Sequence, residues 1–354
     1  MSFIINPSPT RVVFGAGTAG QLAEEVAALG ASRAMIVCTP GAAGRAQPFA
    51  DALGDACAGI FADVETHVPQ SVVDTARNRF NSLDADCLVT FGGGSSIDTG
   101  KPLAVATGAP VIALPTTYSG AEMTANYGIV IDGQKKPHRD DRAFARTVIY
   151  DPALTTGLPP YMTAISGMNA LAHCVEALYP EQPHAVAALL AEEGARALIE
   201  GLPASVASPG DINARTRALY GAYLGGTVVT LVGIAIHHRT CHVLGGTYGL
   251  AHGDANSVIL PQATAFNAPA APQAMAALAR ALGSDDPAAA IFNLAQSMGA
   301  PTDLKSLGMQ EADLDAAAER AIQNTAYNPR PLEFGPVREM LQNAYEGVRP
   351  SAPV

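Results

Sequence analysis

Hydrophobic and polar positions alternate on two different periods along this chain, and the change of period divides it. In the first 150 residues, short near-continuous apolar runs recur: RVVF at Arg11–Phe14, AMIVC at Ala34–Cys38, CLVTF at Cys87–Phe91 and VIAL at Val111–Leu114. Runs of this kind are how strands buried on both faces read. Between them lie segments of helical spacing, Ala19–Gly30 and Gln70–Leu83. Strand and helix in alternation predict βαβ units and a parallel, Rossmann-like sheet. The segment DPALTTGLPPYM, from Asp151, has the Pro and Gly density of a connection between domains. Beyond it the apolar residues follow helical spacing. Helices are expected over Ala185–Leu202, Pro272–Leu282, Ala288–Met298 and Asp313–Gln323, with no strands between them. The expectation is two domains, an α/β unit over residues 1–155 and an all-helical unit over 156–354.

Composition narrows the class. Of 354 residues, 48% are hydrophobic and 15% charged, enough apolar content for two packed cores. No apolar run reaches the roughly 18 residues of a membrane span, and the opening MSFIINPSPTRVVFG lacks a signal-peptide pattern. A soluble, cytoplasmic protein without a membrane partner is expected. The net charge of −11 argues against nucleic acid as a partner. Five scattered cysteines without CxxC spacing read as free thiols.

Two polar loops follow buried strands. In CLVTFGGGSSIDTGK, Gly92, Gly93 and Gly94 let backbone approach a ligand, and Ser95 and Asp98 open the next helix. With the exposed N–H groups of that helix they form a cradle suited to phosphate. The second loop, LPTTYSG, offers Thr116, Thr117 and Tyr118. Ligands of open α/β sheets bind beyond the carboxyl ends of the strands, so the two loops together point to a dinucleotide. Thr39 stands after the second strand where a ribose-binding carboxylate would be expected, which leaves NADH and NADPH both open.

Histidines concentrate in the helical half. Asn169 and His173 are four residues apart on one helix face, and His238 and His242 repeat that spacing, with His252 ten residues on. A metal site, a proton-transfer site and a polar patch without chemistry all fit that pattern. His237 should face away from His238 and His242. Arg239 is a candidate for pairing with an anionic substrate, against an equal reading as a solvent-facing side chain. Cys174 turns off the His173 face and suits packing. Cys241, three residues from His238, suits the pocket wall. NPRPLE at Asn328–Glu333 reads as a loop before a final helix.

The motifs GGGSSIDTGK, LPTTYSGAEMT, MNALAHCVEA and HxxxHxLG followed by HGDAN resemble the iron-containing alcohol dehydrogenase family in order and spacing across nearly the whole chain. TTYSGAEMTANYGI, ISGMNALAHCVEALY and HHRTCHVLGGTYGLAHGDAN resemble its maleylacetate reductase branch. The resemblance implies a dinucleotide-binding domain, a helical domain on the two-domain plan shared with dehydroquinate synthase, a cleft between them, and a homodimer. The family's Asp, His, His, His metal ligands fall on Asn169, His173, His238 and His252, with His242 a neighbouring non-ligand. Asn in place of Asp is a weaker ligand for a transition ion, so metal-independent chemistry is expected. On this expectation Asn169, His173, His238, His242, His252 and Arg239 are the catalytic set. The implied reaction is reduction by NADH or NADPH of the dicarboxylate maleylacetate to 3-oxoadipate. The alternative is an iron- or zinc-dependent alcohol dehydrogenase. The resemblance also places a lysine near the nicotinamide, which makes Lys136 a candidate, against a plainer reading of DGQKKPHRDD as a solvated hairpin.

Overall fold

The computed structural model describes residues 8–352 and 354. The chain divides into two compact units between Gly157 and Leu158.

The first unit is built on a six-stranded, all-parallel sheet. Its strands are β1 (Arg11–Phe14), β2 (Ala34–Val37), β3 (Cys57–Phe61), β4 (Cys87–Gly92), β5 (Val111–Pro115) and β8 (Thr147–Tyr150), in the order β1-β8-β5-β4-β2-β3. β2, β4, β5 and β8 are buried along their whole length, as their unbroken apolar runs require. Helices α1 (Leu22–Ala28) and α2 (Ala43–Leu53) pack Leu22, Val26, Ala46 and Leu53 against Ala34, Ile36, Val89 and Ile112 of the sheet. Helices α3 (Gln70–Ser82) and α4 (Gly94–Thr107) complete the unit's α/β crossovers. The chain runs outward from β2 to β3 through α2. It then returns across β2 to β4 through α3, so strand order reverses between β2 and β4. That reversal is the topological switch point at which such sheets bind ligands.

An antiparallel hairpin, β6 (Asn126–Ile131) and β7 (Gln134–Arg139), stands outside the main sheet. Asp132 (φ 52°) and Gly133 (φ 74°) make its two-residue turn, the left-handed pair that matches strand twist. The buried Lys101 ammonium on α4 donates to the Asn126 carbonyl at 2.6 Å and to Thr124 Oγ1 at 3.2 Å, which fixes the base of the hairpin.

From Leu158 onward the described residues form helices and loops without strands. α5 (Pro160–Ala177), α6 (Ala185–Ala207) and α7 (Ile212–Val232) pack against one another, and glycines set how closely. A Cβ on Gly201 of α6 would lie 2.4 Å from the Ala218 nitrogen of α7, and one on Gly225 of α7 would lie 2.8 Å from the Ala170 carbonyl of α5. Gly194 of α6 meets Cys174 in the same way, at 2.8 Å. Arg215, fully buried on α7, donates to the Leu158 and Pro209 carbonyls and to Thr163 Oγ1, tying the start of α5 to α7. The Asp211 carboxylate caps α7 through the Asn213 and Ala214 N–H groups.

Beyond Gly233 (φ 81°) the chain bends by 99° into α8 (Ile236–Tyr248). α9 (His252–Asn267) follows, then α10 (Pro272–Leu282), α11 (Pro287–Ser297), α12 (Leu314–Asn324) and α13 (Phe334–Glu346). A core of Ile236, Leu244, Val258, Ile259, Leu314 and Leu341 joins α8, α9, α12 and α13. No single helix among the described residues is long and apolar enough to cross a membrane.

Candidate active site

In the α/β unit the loop residues named above gather along one edge. β2, β4 and β5 are neighbours and parallel, so Thr39, Gly92–Gly94 and Thr116–Ser119 all follow the carboxyl ends of adjacent strands. The Thr116 N–H donates to the Gly92 carbonyl at 2.9 Å, which seats the two loops side by side. Here the glycines are structural necessities. Gly92 has φ 144°, and a Cβ there would lie 2.5 Å from Ser96 Oγ. A Cβ on Gly93 would lie 3.0 Å from both Cγ2 and Oγ1 of Thr117, while one on Gly94 would make ordinary contact with Ser119 at 3.5 Å. No side chain caps α4, and the Gly93 carbonyl accepts only from the Ile97 N–H, so the N–H groups of the first turn have no cap. This arrangement fits the pyrophosphate of a dinucleotide.

The remaining candidates separate. Ser95 is half-buried, and its carbonyl accepts from Thr99 Oγ1 at 2.8 Å. Asp98 is ion-paired with Lys101 at 3.0 Å, so its carboxylate already serves the hairpin anchor. Tyr118 is fully buried, which leaves its backbone, not its ring, to line the edge. Thr39 is half-buried just beyond β2, with no carboxylate beside it in the TPGAAG segment. Lys136 is exposed on β7, opposite Ile129.

In the helical unit the four spaced histidines come together. The rings of His173 (α5) and His238 (α8) stack with centroids 4.6 Å apart and planes within 2°. His242 lies 6.5 Å from His238 and 5.8 Å from His252, the first residue of α9. His173 and His238 are buried, whereas His242 and His252 are exposed, so the cluster runs from the interior to the surface. Asn169 is buried one turn before His173 on α5. Burial holds the His173 imidazole well below its usual pKa, reinforced by His238 and His252. Burial does the same to His238, reinforced by His242, His252 and Arg239. Both are therefore neutral near pH 7. Arg239 is half-buried, and its Nε is enclosed without a hydrogen-bond partner.

Two expectations need correction. His237 does not face away: it is fully buried, its Nδ1 lies 3.2 Å from His238 Nδ1, and the rings meet edge-on at 4.7 Å. Helix geometry turns it off the His238 direction, but that direction leads into the interior against the Asn256 carbonyl of α9 and not toward solvent. Cys241 does not line an accessible pocket; it is fully buried in the α8–α9 core, and burial drives its thiol pKa well up. Cys174 packs against Gly194 and Gly225, and burial pushes its thiol pKa up to about 12. The NPRPLE loop also has a positioning part. Asn328 Nδ2 donates to Asn267 Oδ1 at 2.7 Å, and Arg330 lies over the Phe266 ring at 4.4 Å, which docks the loop on α9.

Sequence reasoning missed Glu176. It is buried on α5, seven residues after Asn169 and three after His173, and so on the same face. Its Oε2 lies 2.7 Å from His238 Nδ1, and its Oε1 accepts the His237 backbone N–H at 2.9 Å. Glu176, His237 and His238 lie close enough for three donor atoms to meet one ion. Glu176 also joins the two histidines in a polar network, through the His237 N–H and His238 Nδ1. His173 Nδ1 and His238 Nε2 are different: both are buried without a partner. Those imidazole nitrogens, with His252, are donors suited to a divalent transition ion.

Comparison with known proteins agrees with both units. Residues 9–152 match the family described as iron-containing alcohol dehydrogenase, and residues 163–345 match the C-terminal region of the same family. The chain is 44% identical over 350 residues to a maleylacetate reductase of Burkholderia cepacia, covering 99% of each. It is 42% identical, with a TM-score of 0.95, to the crystal structure of maleylacetate reductase from Agrobacterium tumefaciens, covering 99% of this chain and all of that one. It is also similar to a sulfoacetaldehyde reductase from Bifidobacterium kashiwanohense solved with NAD+, at 26% identity and a TM-score of 0.89, covering 97% and 99%. The chain belongs to the iron-containing alcohol dehydrogenase family.

Proposed function

We infer that this NAD(P)-dependent oxidoreductase reduces the carbon–carbon double bond of maleylacetate, giving 3-oxoadipate: maleylacetate + NAD(P)H + H+ → 3-oxoadipate + NAD(P)+. The observation that carries the reading is similarity to maleylacetate reductases along the full length of both chains. The chemistry of the site suits it. When bound, the reduced nicotinamide supplies hydride to the alkene carbon β to the ketone, and negative charge moves to the ketone oxygen. Groups that donate hydrogen bonds to that oxygen lower the barrier, and a proton must reach the α-carbon.

The residues divide this work by burial. His173 and His238 are neutral near pH 7 and cannot bring an imidazolium charge. His242 and His252, exposed and near one another, are the members able to exchange protons with solvent, and we assign the proton donor to this pair. Arg239, with its unpartnered Nε, is assigned to a substrate carboxylate. Gly92–Gly94, Ser95, Thr116 and Thr117 are assigned to the coenzyme, with Asp98 acting on it through Lys101 and the loop. Thr39 sets no carboxylate against a 2′-phosphate, so either NADH or NADPH fits this reading. Action as a cytoplasmic homodimer belongs to the same reading.

A metal-dependent alcohol dehydrogenase is the second reading, favoured by the unpartnered His173 Nδ1 and His238 Nε2. His173, His238 and His252 would hold such an ion, which would supply Lewis acidity at a carbonyl or alkoxide oxygen. Asn169 weakens that set, because it offers a neutral amide oxygen in place of a charged one. The deciding experiment follows NADH and NADPH oxidation with maleylacetate, before and after chelation, alongside metal analysis. Turnover that survives chelation is expected. Loss of activity on chelation, restored by Fe2+ or Zn2+, would establish the second reading instead.

A further inference from the structure

We propose that Glu176 and His237 act together as positioning residues that fix the tautomer of His238, so that its Nε2 presents a lone pair and not an N–H to the reaction site. The proposal deepens the reading above, because it rests on His238 lining that site.

His237 Nε2 lies 3.2 Å from the Asn256 carbonyl oxygen, which can only accept, so the His237 proton sits on Nε2. Its Nδ1 then carries a lone pair, and that lone pair faces His238 Nδ1 at 3.2 Å. Two lone pairs cannot share that contact, so His238 must carry its proton on Nδ1. The same proton meets Glu176 Oε2 at 2.7 Å, and Glu176 Oε1 accepts the His237 N–H at 2.9 Å. The two contacts at His238 Nδ1 agree on this assignment. The remaining His238 nitrogen, Nε2, is buried without a partner, and its lone pair is what the site receives. A histidine held this way accepts a hydrogen bond or coordinates; it does not donate to a developing enolate. The α-carbon proton and the oxyanion contact must then come from other groups, which concentrates them on His242, His252 and Arg239. A carboxylate that orients an imidazole in this manner commonly sets activity by 10- to 100-fold.

Glu176 also satisfies the first turn of α8 through the His237 N–H, so a test must separate positioning from capping. Glu176→Gln does so. The His237 N–H is fixed as a donor, so the amide oxygen must turn to it, and the amide NH2 is left facing His238 Nδ1. The cap survives, while at His238 Nδ1 the amide NH2 now opposes the proton that the His237 lone pair still favours, so the single tautomer is no longer fixed. The protein is labelled with 15N-histidine, and the tautomer is read from long-range proton–nitrogen spectra, with His238 assigned by its loss in His238→Gln. In the wild type, His238 Nδ1 is expected to be protonated and Nε2 bare. In Glu176→Gln that single assignment gives way to a mixture of the two tautomers, kcat falls severalfold, and the KM for coenzyme stays within twofold.

A wild-type spectrum with the proton on Nε2 overturns the proposal, and so does Glu176→Gln with wild-type kcat. If that variant fails to fold, the wild-type spectrum decides alone. The spectra need no substrate, so absence of maleylacetate turnover would sink the proposed activity without touching this result.

Discussion

Gly93→Ala tests whether the glycine loop carries coenzyme. Gly93 has φ −89°, a conformation open to alanine, so the change introduces one methyl group and no backbone strain. That methyl would sit 3.0 Å from Cγ2 and 3.0 Å from Oγ1 of Thr117, against a comfortable carbon–carbon separation of about 3.5–4.0 Å. The two loops must part by roughly half an ångström. A phosphate oxygen seated about 2.9 Å from a first-turn N–H of α4 would then be stretched to about 3.4 Å, where little of the bond is left. Loss of one charge-assisted hydrogen bond is worth about 1.5–3 kcal/mol. The coenzyme Kd should therefore rise about 10- to 100-fold, measured by fluorescence titration of NADH without substrate. Gly94→Ala, whose methyl would meet Ser119 at an unstrained 3.5 Å, should change the Kd far less. Thr117→Ala removes both clashing atoms and leaves a 3.6 Å contact to Cβ, so in the Gly93→Ala background it should recover most of the loss relative to Thr117→Ala alone. Gly93→Ala binding NADH within twofold of wild type would refute the reasoning, as would a double variant with no recovery.

Other expectations follow from burial and packing. His242→Ala and His252→Ala should not be equivalent, and the one that removes the proton donor should lower kcat by about 10²-fold or more, read in steady-state assays. Four of the five cysteines are buried and Cys57 is half-buried, so a disulfide-exchange reagent should titrate one fast thiol per native chain and leave activity intact. Gly201→Ala drives a methyl into the Ala218 backbone, and overpacking of about 1–3 kcal/mol should exceed the roughly 1 kcal/mol gained in helix propensity. The outcome is a lower Tm in thermal unfolding with coenzyme affinity unchanged.

The sequence carried β2, β4 and β5 well because burial on both faces leaves an apolar run, as in Ala34–Val37 and Val111–Pro115, but it did not single out TVIY of β8, which lies equally buried between β1 and β5. It carried β3 poorly: CAGIF contains glycine and is half-buried for most of its length, which is the signature of an edge. α7 was obscured by Gly221, Gly225 and Gly226 and by β-branched residues, which read as helix-weakening yet serve close packing against α5 and α6. The histidines were legible from spacing, since helix periodicity puts His173 and His238 on inward faces. Glu176 and His237 were not. Their significance arises from a contact between α5 and α8 across 62 residues, which no local period encodes.

The glycine notches between α5, α6 and α7 have a consequence for how this fold can be modified. Ala170 and Cys174, the α5 residues that abut Gly225 and Gly194, lie just beside Asn169 and His173 in sequence, so the shelf bearing the imidazole rests on hard stops of backbone and sulfur. Such stops do not yield gradually, and a swelling at any notch would arrive at His173 as a tilt of its entire helix. Variation that broadens or redirects the range of accepted molecules should therefore avoid that scaffold and accumulate around His242 and His252, where exposed side chains can change without levering the shelf.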